Sequence, residues 1–156
     1  MSKKNFYLNI AIIMMIIAII LLVVFKFVIN DNRNDVSLDI EKTNLVDLNG
    51  NKIKLSQMLS NDKVTYCLIF DMNDCPSCIL KGLNDLSELK KTGLKSMAIV
   101  VHNRIDEVSG WSSNYDYSPF YMLNRNKFYE YIHVQSTPVI IKIRNGKVEN
   151  YRYIFP

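Results

Sequence analysis

Cysteine and histidine are scarce in this chain, with three and two among 156 residues. Structural zinc takes four ligands, and beyond Cys75 and Cys78 only Cys67, His102 and His133 remain, with no second CxxC and no HxxxH pair. The familiar zinc patterns are therefore excluded. A P-loop, a dinucleotide fingerprint and a paired-histidine motif are missing too, so nothing in the sequence calls for a cofactor or a metal. There are no internal repeats or low-complexity tracts. An excess of positive charge is also lacking after residue 30, where all 15 acids face 16 of the 19 basic residues, a net of +1. The formal +4 reflects the flanks of an N-terminal apolar stretch, and no nucleic-acid partner is expected.

That stretch, Phe6 to Phe25, is uncharged and about as long as one bilayer-crossing helix requires. Lys3 and Lys4 precede it, and Phe25-Lys26-Phe27-Val28-Ile29 follows in place of the small residues of a cleavage site. No cysteine at its end supports a lipoprotein anchor. The reading is an uncleaved anchor over residues 1–29, a single-pass helix in the cell membrane. Lysine bias puts the N-terminus inside and the C-terminal domain in an extracytoplasmic compartment, where disulfide chemistry is common. Residues 30–43, polar and without a period, are expected to form a tether, and 44–156 one domain with a single core.

Within that domain, Leu45 to Leu55 reads as a hairpin turning at Asn49-Gly50, and Ser56 opens a short helical turn. Val64 to Phe70 and Ser96 to Val101 are apolar enough for buried strands. Between them Ile79, Leu83 and Leu86 keep helical spacing up to Lys91, and Thr92-Gly93 stops the helix. Arg104 to Trp111 and Lys127 to His133 are expected as helices, and Phe120 to Leu123 as a strand. A second hairpin, Val139 to Tyr153, turns at Asn145-Gly146. Strands alternating with helices imply an α/β fold with mostly parallel central strands and antiparallel hairpins at the ends.

The chemistry concentrates in Cys75-Pro76-Ser77-Cys78, between a buried strand and a helix. Cysteines at this spacing share one helix face, close enough for a disulfide to form and break with little backbone movement. The free N–H groups and dipole of the helix end stabilise the Cys75 thiolate, the nucleophile in thiol–disulfide exchange, and Pro76 suits the first helical position. Asp74 is a competing cue, since its charge should raise the Cys75 pKa. Cys67, within a strand, reads as core.

These parts in this order resemble the thioredoxin-like superfamily, and within it the membrane-anchored TlpA/ResA-like redoxins. The likeness covers Leu45 to Tyr153: LVDLNGNKIKLSQML, the strand into DCPSC, SMAIVV, PFYMLNRNKFYEYI and STPVIIKIRNGKV. It implies a mixed central sheet flanked by helices, after one N-terminal transmembrane helix. It also implies Cys75 as the attacking and Cys78 as the resolving cysteine of a thiol-disulfide oxidoreductase. Pro76, with Thr137 and Pro138 in a cis-proline loop, would shape the site and bind an extended substrate. The partners implied are protein thiols and disulfides, and a membrane or soluble redox partner. Three departures stand out: Ile69 occupies the position of a buried acid in thioredoxin, Asp74 replaces an aromatic, and the chain ends at Pro156 without the usual closing helix, which would leave one sheet face thinly covered. The direction expected is reducing. A rival reading from another class is a Sco-like copper carrier holding the ion with Cys75, Cys78 and His133.

Overall fold

The computed structural model describes residues 14–19, 36–59 and 63–156. The chain divides into two units, Met1–Asn34 and Asp35–Pro156. In the first, 14–19 is helical with exposed apolar side chains, and the rest of the anchor expected over 1–29 lies outside the described residues. No helix among the described residues is long and apolar enough to cross a membrane.

The second unit is built on a seven-stranded sheet. At its centre β4 (Thr65–Asp71), β5 (Lys95–Val101) and β6 (Phe120–Leu123) run parallel. The hairpin of β2 (Asn44–Asp47) and β3 (Lys52–Lys54) adds antiparallel to β6, and that of β8 (Val139–Arg144) and β9 (Lys147–Tyr153) adds antiparallel to β4. Both hairpins turn where Asn-Gly pairs predict: Asn145 and Gly146 take φ of 51° and 68°, and Gly50 takes 87°.

Strand alternation divides the core. Cys67 and Ile69 of β4 face a cluster with Met97, Ile99 and Ile141, covered by Leu55 of α1 (Leu55–Met58) and Phe128 of α4 (Arg125–Tyr131). Leu68 and Phe70 face the opposite cluster, covered by Ile79, Leu83 and Leu86 of α2 (Pro76–Lys91) and Val108 of α3 (Ile105–Ser112). A Cβ at Gly82 would stand 2.8 Å from Leu68 Cδ1, so the missing side chain is what lets α2 lie this close to β4. Helix α2 stops at Gly93, φ 81°, where Leu94 N donates to Leu89 O in a Schellman-type closure. A groove of about 550 Å³ opens beside α2 over Tyr66, Ile140 and Tyr151, several turns from the cysteines.

Two expectations are corrected. Residues 36–43, placed in the tether by their polarity, belong to the folded unit: Val36 and Ile40 are buried, and β1 (Ser37–Leu38) pairs antiparallel with β7 (Ile132–His133). Val36, Leu38 and Ile40 alternate with polar residues over five positions, a run too short to stand out within a polar segment, yet sufficient to dock it. The helix expected over Lys127 to His133 starts earlier, at Arg125, because the Asn124 side chain accepts from Asn126 N and caps it. It ends at Tyr131, since Ile132 and His133 pair with β1 instead.

Candidate functional site

Strand β4 ends at Asp71, and the next four residues turn the chain into α2. Asp71 O accepts from Asp74 N (3.0 Å), Asp71 N donates to Asp74 Oδ2 (2.8 Å), and Asp71 Oδ1 accepts from Asn73 N (3.0 Å). Two aspartates and an asparagine thus tie the turn by side-chain-to-backbone bonds, the conformational use to which these residues are suited. The other Asp71 oxygen pairs with the Arg125 guanidinium at the start of α4, which fastens the turn to a second element.

Cys75 follows as the N-cap of α2, with Pro76 as the first helical residue. Cys75 O accepts from both Cys78 N and Ile79 N at 3.0 Å, closing the first turn. Cys75 is exposed and Cys78 buried, and both are free thiols. Hydrogen bonds from the Cys78 thiol, the Ser77 hydroxyl and the helix N–H groups hold the Cys75 pKa down to about 7, and the same coupling to Cys75 raises that of Cys78. Ser77 Oγ lies 3.0 Å from Cys75 Sγ. The lowering comes first from the Cys78 thiol, then from Ser77 and the helix N–H groups, while the Asp74 carboxylate is turned back to the Asp71 N–H. The pair is therefore asymmetric: an accessible sulfur that ionises near neutrality, and a sheltered one that keeps its proton.

Register brings the second half of the site alongside. Val139 pairs with Ile69, so the preceding residues lie against the C-terminal end of β4 and the turn leading to Cys75. There Thr137–Pro138 is cis, as the resemblance implies, Pro138 O accepts from Ile154 N at 2.9 Å, and Thr137 lines a cavity with Asp74. A second cis peptide, Ser118–Pro119, has no counterpart in the sequence reading.

The remaining candidates fall elsewhere. Cys67 is fully buried in β4, and burial pushes its thiol up to about 12. His133 is exposed on β7 opposite Ser37. Among the described residues no group of three or more His, Cys, Asp or Glu side chains is placed to hold a metal ion, so His133 does not join the two cysteines. Sequence reasoning missed Ser77 as a partner of Cys75, and Arg125 as the counter-ion of Asp71. The first was visible as a hydroxyl within the CxxC; the second joins residues 54 positions apart and had no local signal.

No family model matches the sequence, and no curated protein matches it. Solved structures do. An uncharacterized thioredoxin-like protein from Porphyromonas gingivalis aligns with TM-score 0.60 at 16% identity, over 75% of this chain and 81% of that one. A thiol:disulfide interchange protein from Bacteroides sp. gives 0.58 at 15%, over 74% and 80%. BsSco, of the Sco family of cytochrome c oxidase assembly proteins, gives 0.56 at 12%, over 74% and 83%. At such identities the likeness establishes the fold alone: the described unit has a thioredoxin-like fold, with Cys75-Pro76-Ser77-Cys78 at the start of its first long helix.

Proposed function

We propose that this chain is a thiol-disulfide oxidoreductase that exchanges disulfides with protein substrates through Cys75 and Cys78. The observation that carries the reading is the asymmetry of the pair, an exposed sulfur held down to about 7 beside a buried one held up. In the reducing direction the Cys75 thiolate attacks one sulfur of a substrate disulfide, and the other leaves as a thiolate that takes up a proton. Cys78 then loses its proton and attacks Cys75 Sγ, releasing the second substrate thiol and leaving a Cys75–Cys78 disulfide. Two electrons pass from the dithiol to the substrate. Pro76 and the Thr137–Pro138 loop flank the exposed sulfur, and the backbone of Thr137 offers an extended substrate strand-like pairing.

The direction we propose is reducing. A nucleophilic cysteine ionising at about 7 resembles reductant-type dithiols, whereas strongly oxidising ones lie near about 3.5. The apolar run Phe6 to Phe25 and the lysines before it support an anchored, extracytoplasmic enzyme. The Sco-like carrier is the second reading, favoured by the likeness to BsSco and opposed by the separation of His133 from the pair. Copper titration of the reduced domain, with and without His133, separates them: the carrier reading requires tight binding that depends on the histidine.

The deciding experiment is thiol trapping by mass on residues 31–156, equilibrated across glutathione or dithiothreitol ratios. The expected result is a reversible two-electron transition confined to Cys75 and Cys78, whose midpoint fixes the direction. A pair that never closes, or closes irreversibly, overturns the reading.

A further inference from the structure

Beside the dithiol lies a cavity of about 260 Å³ that the exchange chemistry does not use. It borders both halves of the site, because Asp74 immediately precedes Cys75 and Thr137 immediately precedes Pro138. A peptide whose cysteine sits at Cys75 reaches it with a side chain one or two residues away, since an extended chain advances about 3.3 Å per residue.

Its charges do not cancel. Asp71 is neutralised by Arg125. Asp74 accepts only the Asp71 N–H and meets no cation among the described residues, which leaves the cavity with one uncompensated negative charge. The lining also includes two aromatic residues: Phe128 is buried, whereas Tyr129 is 67% exposed with its ring in edge contact with Phe128, 5.1 Å between centroids. A carboxylate without a cation and an exposed aromatic ring bordering the same cavity suit a long cationic side chain. The methylene stem packs on the ring while the charged head meets the acid.

We infer that this cavity is a specificity subsite for a lysine or arginine next to the reactive cysteine of the substrate, with Asp74 as the counter-charge and Tyr129 as the wall. The inference rests on the oxidoreductase reading and names the substrate class of the same site. It gives Asp74, standing where the resemblance leads one to expect an aromatic, a binding role.

The test uses the full chain, reduced and kept in detergent micelles, and three symmetrical peptide disulfides that differ only in the residue after cysteine: lysine, alanine or glutamate. Rate constants for oxidation of the protein are divided by those of glutathione with the same peptide, which removes intrinsic leaving-group differences. Lysine is expected over glutamate by roughly tenfold, equivalent to about 1.4 kcal/mol. Asp74→Asn keeps the acceptor for the Asp71 N–H and removes the charge, and should bring the ratio to within about twofold. Tyr129→Ala should reduce it in part. Equal rates, a ratio unmoved by Asp74→Asn, or a preference for glutamate, which would assign the cavity to Arg125, overturns the subsite. Hydroxyethyl disulfide, which has no flanking side chain, separates the two levels. Exchange with it and no peptide preference sinks only the subsite, whereas no exchange with any disulfide sinks the enzyme reading and the subsite together.

Discussion

Ser77 Oγ sits 3.0 Å from Cys75 Sγ, within the CxxC itself, so one of the two residues between the cysteines helps to set the ionisation of the first. Once Cys75 is a thiolate, the hydroxyl donates to it, stabilising the charged form and lowering the pKa. Ser77→Ala removes one of several donors. A hydrogen bond of about 1 kcal/mol corresponds to somewhat under one pKa unit, so the midpoint of Cys75 reactivity should rise by roughly half a unit to one unit. The absorbance of the thiolate, followed through a pH titration, measures the shift. An unchanged midpoint would remove Ser77 from the account.

The three thiols should also separate by pH. With Cys75 held down to about 7, its alkylation by iodoacetamide should rise roughly tenfold per pH unit below that value and level off above it, because only the thiolate attacks. Cys67, pushed up to about 12 by burial, and Cys78, raised by its coupling to Cys75, should stay unmodified in the folded protein at neutral pH. Mass spectrometry of the native reduced chain should therefore find a single adduct, on Cys75. Adducts on Cys67 under native conditions would contradict its place in the core.

Gly82 packs α2 directly against Leu68 of β4. An alanine there gains up to about 1 kcal/mol in helix propensity. Its Cβ would meet Leu68 Cδ1 at 2.8 Å and Cδ2 at 3.0 Å, and Leu68 is fully buried, with neighbours on every side. Overpacking of this kind costs about 1–3 kcal/mol, so Gly82→Ala should be net destabilising by about 1 kcal/mol. Denaturant unfolding of the reduced domain checks the sign. A stabilised variant would mean that α2 moves away from β4 without penalty.

Much of the fold was legible because its signals are local. The apolar runs of β4 and β5, the helical spacing of Ile79, Leu83 and Leu86, and the two Asn-Gly turns each need only a few neighbouring residues to be read. The CxxC and its place at a helix start were legible for the same reason. The Asp71–Arg125 pair was not, since it depends on the end of β4 and the start of α4 meeting at the same edge of the sheet. Asp74 could be noticed but not interpreted, because only the structure shows its carboxylate accepting from the Asp71 N–H and the residue bordering a cavity. The segment before β2 was misread because its docking needs a partner, β7, that lies almost a hundred residues later and was itself hidden in a helix expectation.

That segment gives a sharp test of where the domain begins. Ile40 is 7% exposed and packs in the cluster that includes Leu45, Phe128 and Ile132. Around it Asp39 N donates to Tyr131 O (2.8 Å) and Leu55 N to Thr43 O (2.9 Å), so its backbone is fixed from both sides. Truncating a buried isoleucine to alanine costs about 2–5 kcal/mol, and a site near the rim of the core belongs at the lower end. Ile40→Ala should therefore destabilise the domain by about 2 kcal/mol, seen as a lower denaturation midpoint with an unchanged slope. The same change in a solvated tether would stay within about 0.5 kcal/mol of zero. A result that small would return residues 36–43 to the linker and move the start of the folded unit to β2.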